Sequence, residues 1–267
     1  MPERWRVPPG KRVRLDSIDP GSTAGAPGGK AETEVTVADL HRKLAGLHDR
    51  LWAEGRRSLL VVLQGMDTAG KDGTIRHVFG SLAPQATRVT AFKVPNDAER
   101  AHDFLWRVHR AAPAHGEIGI FNRSHYEDVL VARVHGLVPE DVWRARYGLI
   151  NGFEKLLAHG GTTILKFFLY ISKDEQRKRL EERLNDPTKR WKFQVGDLVE
   201  RRLWDDYCKA YEDAIEATSM EHAPWYVIPA DHKWYRNWAT TRILVSTLEG
   251  MHPRYPEGED LSGVTIT

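Results

Sequence analysis

An apolar run over residues 59–63, Leu-Leu-Val-Val-Leu, stops one residue short of Gly65; Gly65 and Gly70 then enclose four residues ahead of Lys71. A continuous apolar run of that length suits a strand buried on both faces, the interior of a parallel sheet. The spacing that follows is the Walker A pattern G-x-x-x-x-G-K. Its glycines let the backbone curl so that N–H groups converge on phosphate oxygens. The next helix adds its positive end, and the lysine neutralises charge on the transferring phosphate. Phosphate contacts are therefore expected from Gly65, Ala69, Gly70, Lys71, Gly73 and Thr74. A tight glycine turn is the plainer alternative, and the strand before and helix after favour the phosphate loop. Two residues depart from the usual pattern. Asp72 stands where Ser or Thr normally follows the lysine, and Asp67 lies inside the loop. A carboxylate facing phosphate is repulsive unless a divalent cation stands between them or it takes a proton. Asp67 is read as metal-facing, and Asp72 as a cap of the following helix.

Further apolar runs at 89–94, 118–121, 163–171 and 225–229 read as buried strands. Helical patterns lie between them at 73–82, 97–111, 125–135, 139–159, 173–184 and 197–217, with one before at 37–57 and one after Lys233. This alternation predicts an α/β fold with a parallel sheet covered on both faces. Trp204, Tyr207, Tyr211 and Ile215 form one helical stripe, read as core. At 267 residues and 41% hydrophobic composition, the chain can bury a full core. It has no apolar run long enough to span a membrane and no apolar leader at its start, so a soluble, cytoplasmic protein is expected. The single cysteine, Cys208, rules out an internal disulfide or a cysteine metal cage and reads as a core thiol. Net charge is only +2, so bulk charge does not point to nucleic acid, and a polyanion site must come from local clustering. Arg4, Arg6, Lys11, Arg12 and Arg14 oppose Glu3 in a Pro- and Gly-rich start, read as a solvated, partly ordered arm. Residues 1–36 are taken as arm and linker and 37–267 as the catalytic domain.

In open α/β sheets, ligands sit beyond the carboxyl ends of the strands. The run 118–121 ends in Asn122-Arg123-Ser124-His125-Tyr126-Glu127-Asp128, where Arg123 can meet a phosphate. Glu127 and Asp128 read equally as metal or general-base carboxylates and as charges favourable to a helix N-terminus. Between 177 and 192 the first half reads as a solvated helix of mixed charge. The second half, Asp186-Pro187-Thr188-Lys189-Arg190-Trp191-Lys192, is a Pro-broken basic turn that fits a lid closing over phosphate within residues 173–200.

Together these stretches, with Lys93-Val94-Pro95 and His102-Asp103-Phe104-Leu105-Trp106-Arg107, resemble the second polyphosphate kinase family. Its members transfer phosphoryl groups between inorganic polyphosphate and nucleotides. The resemblance runs over nearly the whole chain, with the motifs in order. It implies a P-loop kinase fold similar to thymidylate kinase: three layers, a five-stranded parallel sheet and a helical lid. It implies catalytic roles for Asp67, Lys71, Arg123, Glu127 and Asp128, with Mg²⁺ (Mn²⁺ as the alternative) on Asp67 and Asp128. Polyphosphate would lie on Arg123, Lys189, Arg190 and Lys192, and the nucleotide near Asn96, Asp97 and Arg133. Asn122 departs from branches with aspartate there, which leaves no metal role for that position to inherit. Glu127 matches the branch that phosphorylates both mono- and diphosphates, so AMP, ADP and their guanine counterparts are the expected acceptors in a reversible reaction. Expected partners are inorganic polyphosphate, nucleoside mono-, di- and triphosphates, and further copies of the chain in a dimer or tetramer; nucleic acid and membrane are not expected. An ATP-dependent nucleoside or nucleotide kinase would not explain Asp67 or the missing Ser/Thr after Lys71. A non-catalytic polyanion-binding protein would not explain the intact Gly70-Lys71 pair with its carboxylates.

Overall fold

The protein is described by a computed structural model covering residues 2–260, 262 and 265. The first half of the chain runs β1 (Arg6–Val7), α1 (Lys30–Glu54), β2 (Ser58–Gln64), α2 (Lys71–Phe79), β3 (Thr87–Ala91), α3 (Asp97–Arg100), α4 (Trp106–His109) and β4 (Ile118–Asn122). The second half runs α5 (Val131–Val134), α6 (Glu140–His159), β5 (Thr162–Tyr170), α7 (Lys173–Asn185), α8 (Gly196–Arg202), α9 (Trp204–Thr218), β6 (Trp225–Pro229) and α10 (Lys233–Met251). Strand β2 is buried along its whole length and pairs in parallel with β4 on one side and β5 on the other. Such a strand satisfies its backbone only between two neighbours, which is why it is central. The sheet order is β1-β6-β5-β2-β4-β3. Helices α1, α10 and α2 pack on one another, and α5, α6 and α9 form a second group, with α6 resting on β5. Because Leu63 is in register with Asn122, the segments leaving β2 and β4 emerge side by side at one edge of the sheet.

Several elements differ from expectation. The sheet has six strands rather than five, because β1 adds antiparallel to β6 beyond the five parallel ones. Strand β3 ends at Ala91, and Val89 and Val94 are exposed, because β3 is an edge strand paired only with β4. The helix expected over 97–111 is two single turns. A capping box of Asn96 and Glu99 starts the first, and Asp103 accepts the Leu105 N–H at 2.9 Å before the second. Such local side-chain bonds compete with continued helix. The pattern at 197–217 likewise divides at Leu203 into α8 and α9.

The arm is not a solvated tail. Trp5, Val7, Val13 and Leu15 are buried, and Trp5 stands edge-on to Trp238 with ring centres 5.7 Å apart. Arg6 pairs with Glu221 at 2.5 Å, and the Leu15 N–H donates to Glu212 at 2.7 Å. The apolar residues alternate with the basic ones, so a count of charges hid the buried face. Trp5→Ala is expected to destabilise the protein by about 3–5 kcal/mol, as for a core tryptophan. Denaturant unfolding checks this; an unshifted midpoint would return the arm to the status of a tail.

Candidate active site

The loop after β2 is shaped by what lies behind it. A Cβ on Gly65 would come within 2.8 Å of the Leu169 carbonyl oxygen on β5, so only glycine allows that approach. Gly70 has a φ of 101°, and a Cβ there would fall 1.9 Å from Nη1 of Arg236. The loop carbonyls are held from the rear. Arg179 Nη1 donates to the carbonyls of Thr68 at 2.9 Å and Ala69 at 3.1 Å, and Gln176 Nε2 donates to that of Asp67 at 3.1 Å. Ala69 and Thr74 are buried beneath the loop, where the Thr74 hydroxyl donates to the Gly70 carbonyl at 3.2 Å. Lys71 folds back so that Nζ donates to the Gly65 carbonyl at 2.7 Å.

Beside the loop, Arg123 follows β4 with a left-handed φ of 60°, which is uncommon for a non-glycine residue and concentrates at functional sites. Its N–H donates to the Leu63 carbonyl at 3.1 Å, tying it to β2. Its guanidinium bridges Asp67 at 2.9 Å and Glu127 at 3.2 Å. Burial alone would lower the Arg123 pKa; Glu127 and Asp67 outweigh it and raise the value. The turn carrying Glu127 is anchored in the core. Tyr126 OH donates to Glu154 at 3.0 Å, and the fully buried Lys166 donates to both Glu154 at 2.5 Å and Tyr126 OH at 2.9 Å.

Two hollows meet at this point. One, of about 340 Å³, has Asp67, Arg123 and Glu127 on one wall and Val94, Leu130, Val131, Trp204, Tyr207 and Tyr211 on the others. The other is a cleft of about 810 Å³ with a strongly basic lining. Its cations come from the loop and α2 (Lys71, Arg76), the ends of β3 and β4 (Lys93, Arg123), α7 (Arg179, Arg183), the basic turn (Lys189, Lys192) and α10 (Lys233), against Asp67, Asp72, Glu182 and Asp197. Nine cations face four carboxylates, which suits a polyanion. Asp67 and Arg123 line both spaces.

Gly65 and Glu127 thus border the smaller hollow, and Gly70, Lys71, Gly73, Lys189 and Lys192 the cleft. Other expected residues lie elsewhere. Asp128 is held by Arg146 at 3.7 Å and Arg107 at 3.9 Å and lines neither space; burial raises its pKa against those two arginines. Arg190 turns its Nε to the Leu184 carbonyl at 2.9 Å and finishes helix α7. Asn96 is a helix cap, Asp97 pairs with Arg100 at 2.6 Å, and Arg133 pairs with Asp213 at 2.7 Å over the Trp143 ring. Asp72 does not cap α2; it accepts from Asn122 Nδ2 at 2.7 Å and ties the helix start to β4. Among residues the sequence reading passed over, Arg179 was counted with a solvated helix face. Yet Gln176, Arg179 and Leu180 are buried at helical spacing, a stripe that could have shown α7 facing the loop. Trp204, Tyr207 and Tyr211, expected in the core, wall the smaller hollow as well.

Residues 29–256 match the family model "Polyphosphate kinase 2 (PPK2)". The chain belongs to the polyphosphate kinase 2 family. It is 56% identical over 97% of its length to an AMP/ADP-polyphosphate phosphotransferase of Meiothermus ruber, covering 97% of that protein. It is 45% identical over 80% of its length to an ADP-polyphosphate phosphotransferase of Rhodopseudomonas palustris, covering 78% of it. The crystal structure of polyphosphate kinase 2 from Arthrobacter aurescens TC1 superposes with a TM-score of 0.93 at 48% identity, covering 96% of this chain and 92% of that one. No helix among the described residues is long and apolar enough to cross a membrane.

In this polyphosphate kinase 2, burial and then Arg123 push Lys71 down to about 8, against Asp67, Glu127 and Asp72. An ammonium serves phosphate only while protonated, and kcat/KM reports the free enzyme. kcat/KM is therefore expected to fall as pH rises through about 8, by roughly tenfold per pH unit beyond it. Lys71→Arg, which stays charged, should lack that limb. A pH–rate profile from 6 to 10 checks this; a flat wild-type profile would remove Lys71 from the charged groups that matter.

Proposed function

We propose that this chain transfers phosphoryl groups from inorganic polyphosphate to AMP and ADP, with the polyphosphate in the basic cleft and the nucleotide in the smaller aromatic hollow. The observation that carries this reading is that the two spaces share Asp67 and Arg123 and so meet where a phosphoryl group would pass. A flexible polyanion is held by distributed cations without sequence-like specificity. The apolar and aromatic wall from Val94 to Tyr211 offers a base the stacking surface that Asn96, Asp97 and Arg133 do not. The architecture is read as P-loop kinase-like, with α7, the basic turn and α8 as the lid.

An oxygen of the acceptor's terminal phosphate attacks the end phosphorus of polyphosphate. The P–O bond to the next phosphate breaks, leaving the chain one unit shorter and the nucleotide one unit longer. Such a transfer depends on alignment and on neutralising spread charge. Arg123 sits at the junction to bind the moving group. Lys71 reaches it by giving up the Gly65 carbonyl, and Lys189 and Lys192 hold the donor chain. The divalent cation fits the residues present. Among the described residues no group of three or more His, Cys, Asp or Glu could hold a metal by itself. Mg²⁺ needs only one or two carboxylates beside phosphate oxygens and waters, and Mn²⁺ can take the same oxygen ligands. Asp67 supplies one carboxylate, and Asp197 is close enough that Asp67, after burial, raises its pKa. Asp128, bound to two arginines, is left out. When bound, the cation would neutralise charge between donor and acceptor phosphates.

Incubation with AMP or ADP, polyphosphate and Mg²⁺, with no nucleoside triphosphate added, is expected to yield ADP and ATP. Turnover only with a nucleotide donor would replace this reading with an ATP-dependent kinase. Glu127→Asn is expected to lower the initial rate on AMP about tenfold more than on ADP, a difference of about 1.4 kcal/mol. The shorter acceptor needs the carboxylate's help to bring its phosphate to the junction. Equal losses would make Glu127 a general structural or catalytic residue.

The basic turn makes a separate demand. Lys189→Ala with Lys192→Ala removes two cations from the cleft. The slope of log affinity for polyphosphate against log salt is expected to flatten by roughly 1.4, on the single-strand value for two lost contacts. Titration at several salt concentrations checks it; an unchanged slope would put the turn outside the binding path.

A further inference from the structure

Arg236 is buried to 2% exposure in the first turn of α10, and no carboxylate pairs with it among the described residues. Its polar contacts are neutral: the Ala69 carbonyl at 3.3 Å from Nη1, and the Asn237 Oδ1 at 2.9 Å from Nη2 and 3.2 Å from Nε. Arg179 nearby is different, since Glu175 lies 2.8 Å from its Nε. Arg236 also stands at the positive end of its own helix, where a cation is disfavoured. Burial and then Arg179 pull its pKa down to about 9. Burial, the helix end and Arg179 all oppose a charge at this place, with only hydrogen bonds to neutral oxygens in its favour, and a buried unpaired charge is among the more destabilising arrangements a fold can carry.

What Arg236 does have is position. Its guanidinium lies directly behind the loop, where a Cβ on Gly70 would be 1.9 Å from Nη1 and one on Gly73 would be 3.2 Å from Nη2. The other side of those glycines lines the basic cleft. We propose that Arg236 is a positioning residue for polyphosphate: an uncompensated charge sealed behind the phosphate loop, whose counter-ion is the phosphate bound on the loop's front face. It touches no substrate. It holds the Ala69 carbonyl rearward and adds a positive field through the thin glycine backbone. The ligand-free enzyme is less stable for carrying it, and polyphosphate binding relieves that instability. The inference rests on residues 65–71 being the phosphate site, and Lys71→Ala tests that premise separately.

Three variants are compared with the parent, Arg236→Met, Arg236→Lys and Lys71→Ala, each in thermal unfolding with and without long-chain polyphosphate and in steady-state kinetics. Without ligand, Arg236→Met is expected to unfold at the parent's temperature or above, since an apolar side chain of similar length replaces an unpaired charge. With polyphosphate its rise in unfolding temperature should be much smaller than the parent's. Its KM for polyphosphate should rise by roughly ten- to hundredfold, the scale of one charge acting across several ångströms of protein. Arg236→Lys, compared at a pH low enough to keep a buried ammonium protonated, should recover most of the polyphosphate response, a recovery that a purely packing role would not give. An Arg236→Met protein that is unfolded or clearly destabilised without ligand, or that keeps the parent's polyphosphate shift and KM, overturns the proposal. If Lys71→Ala keeps the full polyphosphate shift, the phosphate-loop reading itself fails, whatever Arg236 does.

Discussion

The contact between the loop at 65–70 and the elements behind it sets the geometry of the whole site. The backbone at Gly65 lies so near the Leu169 carbonyl, and at Gly70 so near Arg236, that no side chain fits at either place. The loop is therefore supported by its surroundings rather than by packing of its own side chains. Arg179 and Gln176 from α7 take the carbonyls of Asp67, Thr68 and Ala69, so the helix that leads into the basic turn is bonded to the 65–70 loop itself. Arg179 Nη2 also reaches the carbonyls of Ala230 and Asp231 beyond β6, which joins the loop to the segment leading into α10.

The neighbouring strand end is fixed by other means. Arg123 occupies a backbone region that a non-glycine residue rarely takes, and such a conformation persists only where its surroundings over-determine it. They do so from three directions: the Leu63 carbonyl holds its N–H, Gln64 donates to Ser124, and the Tyr126 ring and hydroxyl are locked beneath. The lock is a buried ion pair, Lys166 with Glu154, that reaches the turn through Tyr126 and His125. Lys166 and His125 outweigh burial and hold the Glu154 pKa below the usual carboxylate range. A buried pair of this kind gives little net stability over an apolar pair, but it orients its neighbours strictly.

The same contrast explains what could be read from the sequence. Residues 59–63, 118–121 and 225–229 read correctly as strands because each is a continuous apolar run within a buried parallel sheet. The glycine spacing marks residues 65–70 as a tight loop because a close backbone approach at Gly65 and a left-handed φ at Gly70 both call for glycine. Burial of charged side chains is harder to read: Arg179 shares a buried helical spacing with Gln176 and Leu180, whereas only the folded chain reveals that Arg236 faces a carbonyl. Adjacent residues on a single turn of helix point in different directions, so Glu127 enters the hollow and Asp128 meets Arg107 and Arg146 instead. The arm was misread because its apolar residues serve the sheet edge and α10 rather than a repeat of their own.

The ligand-free charge balance at the junction bears on the proposed order of events. Arg123 is already satisfied by Asp67 and Glu127, and Lys71 by a carbonyl, so neither cation waits free for a phosphate. Where a phosphoryl group takes the Arg123 donors that now serve Asp67 or Glu127, the displaced carboxylate is left facing an anion. That arrangement is repulsive by several kcal/mol at short range and low effective dielectric, roughly 4 kcal/mol at 4 Å. A divalent cation, held by Asp67 on the proposed reading, would neutralise that repulsion. On the proposed reading, Asp67 therefore holds the arginine in the empty enzyme and the metal in the loaded one. On that reading the metal site would be completed by phosphate oxygens, as is usual for Mg²⁺ beside one or two carboxylates.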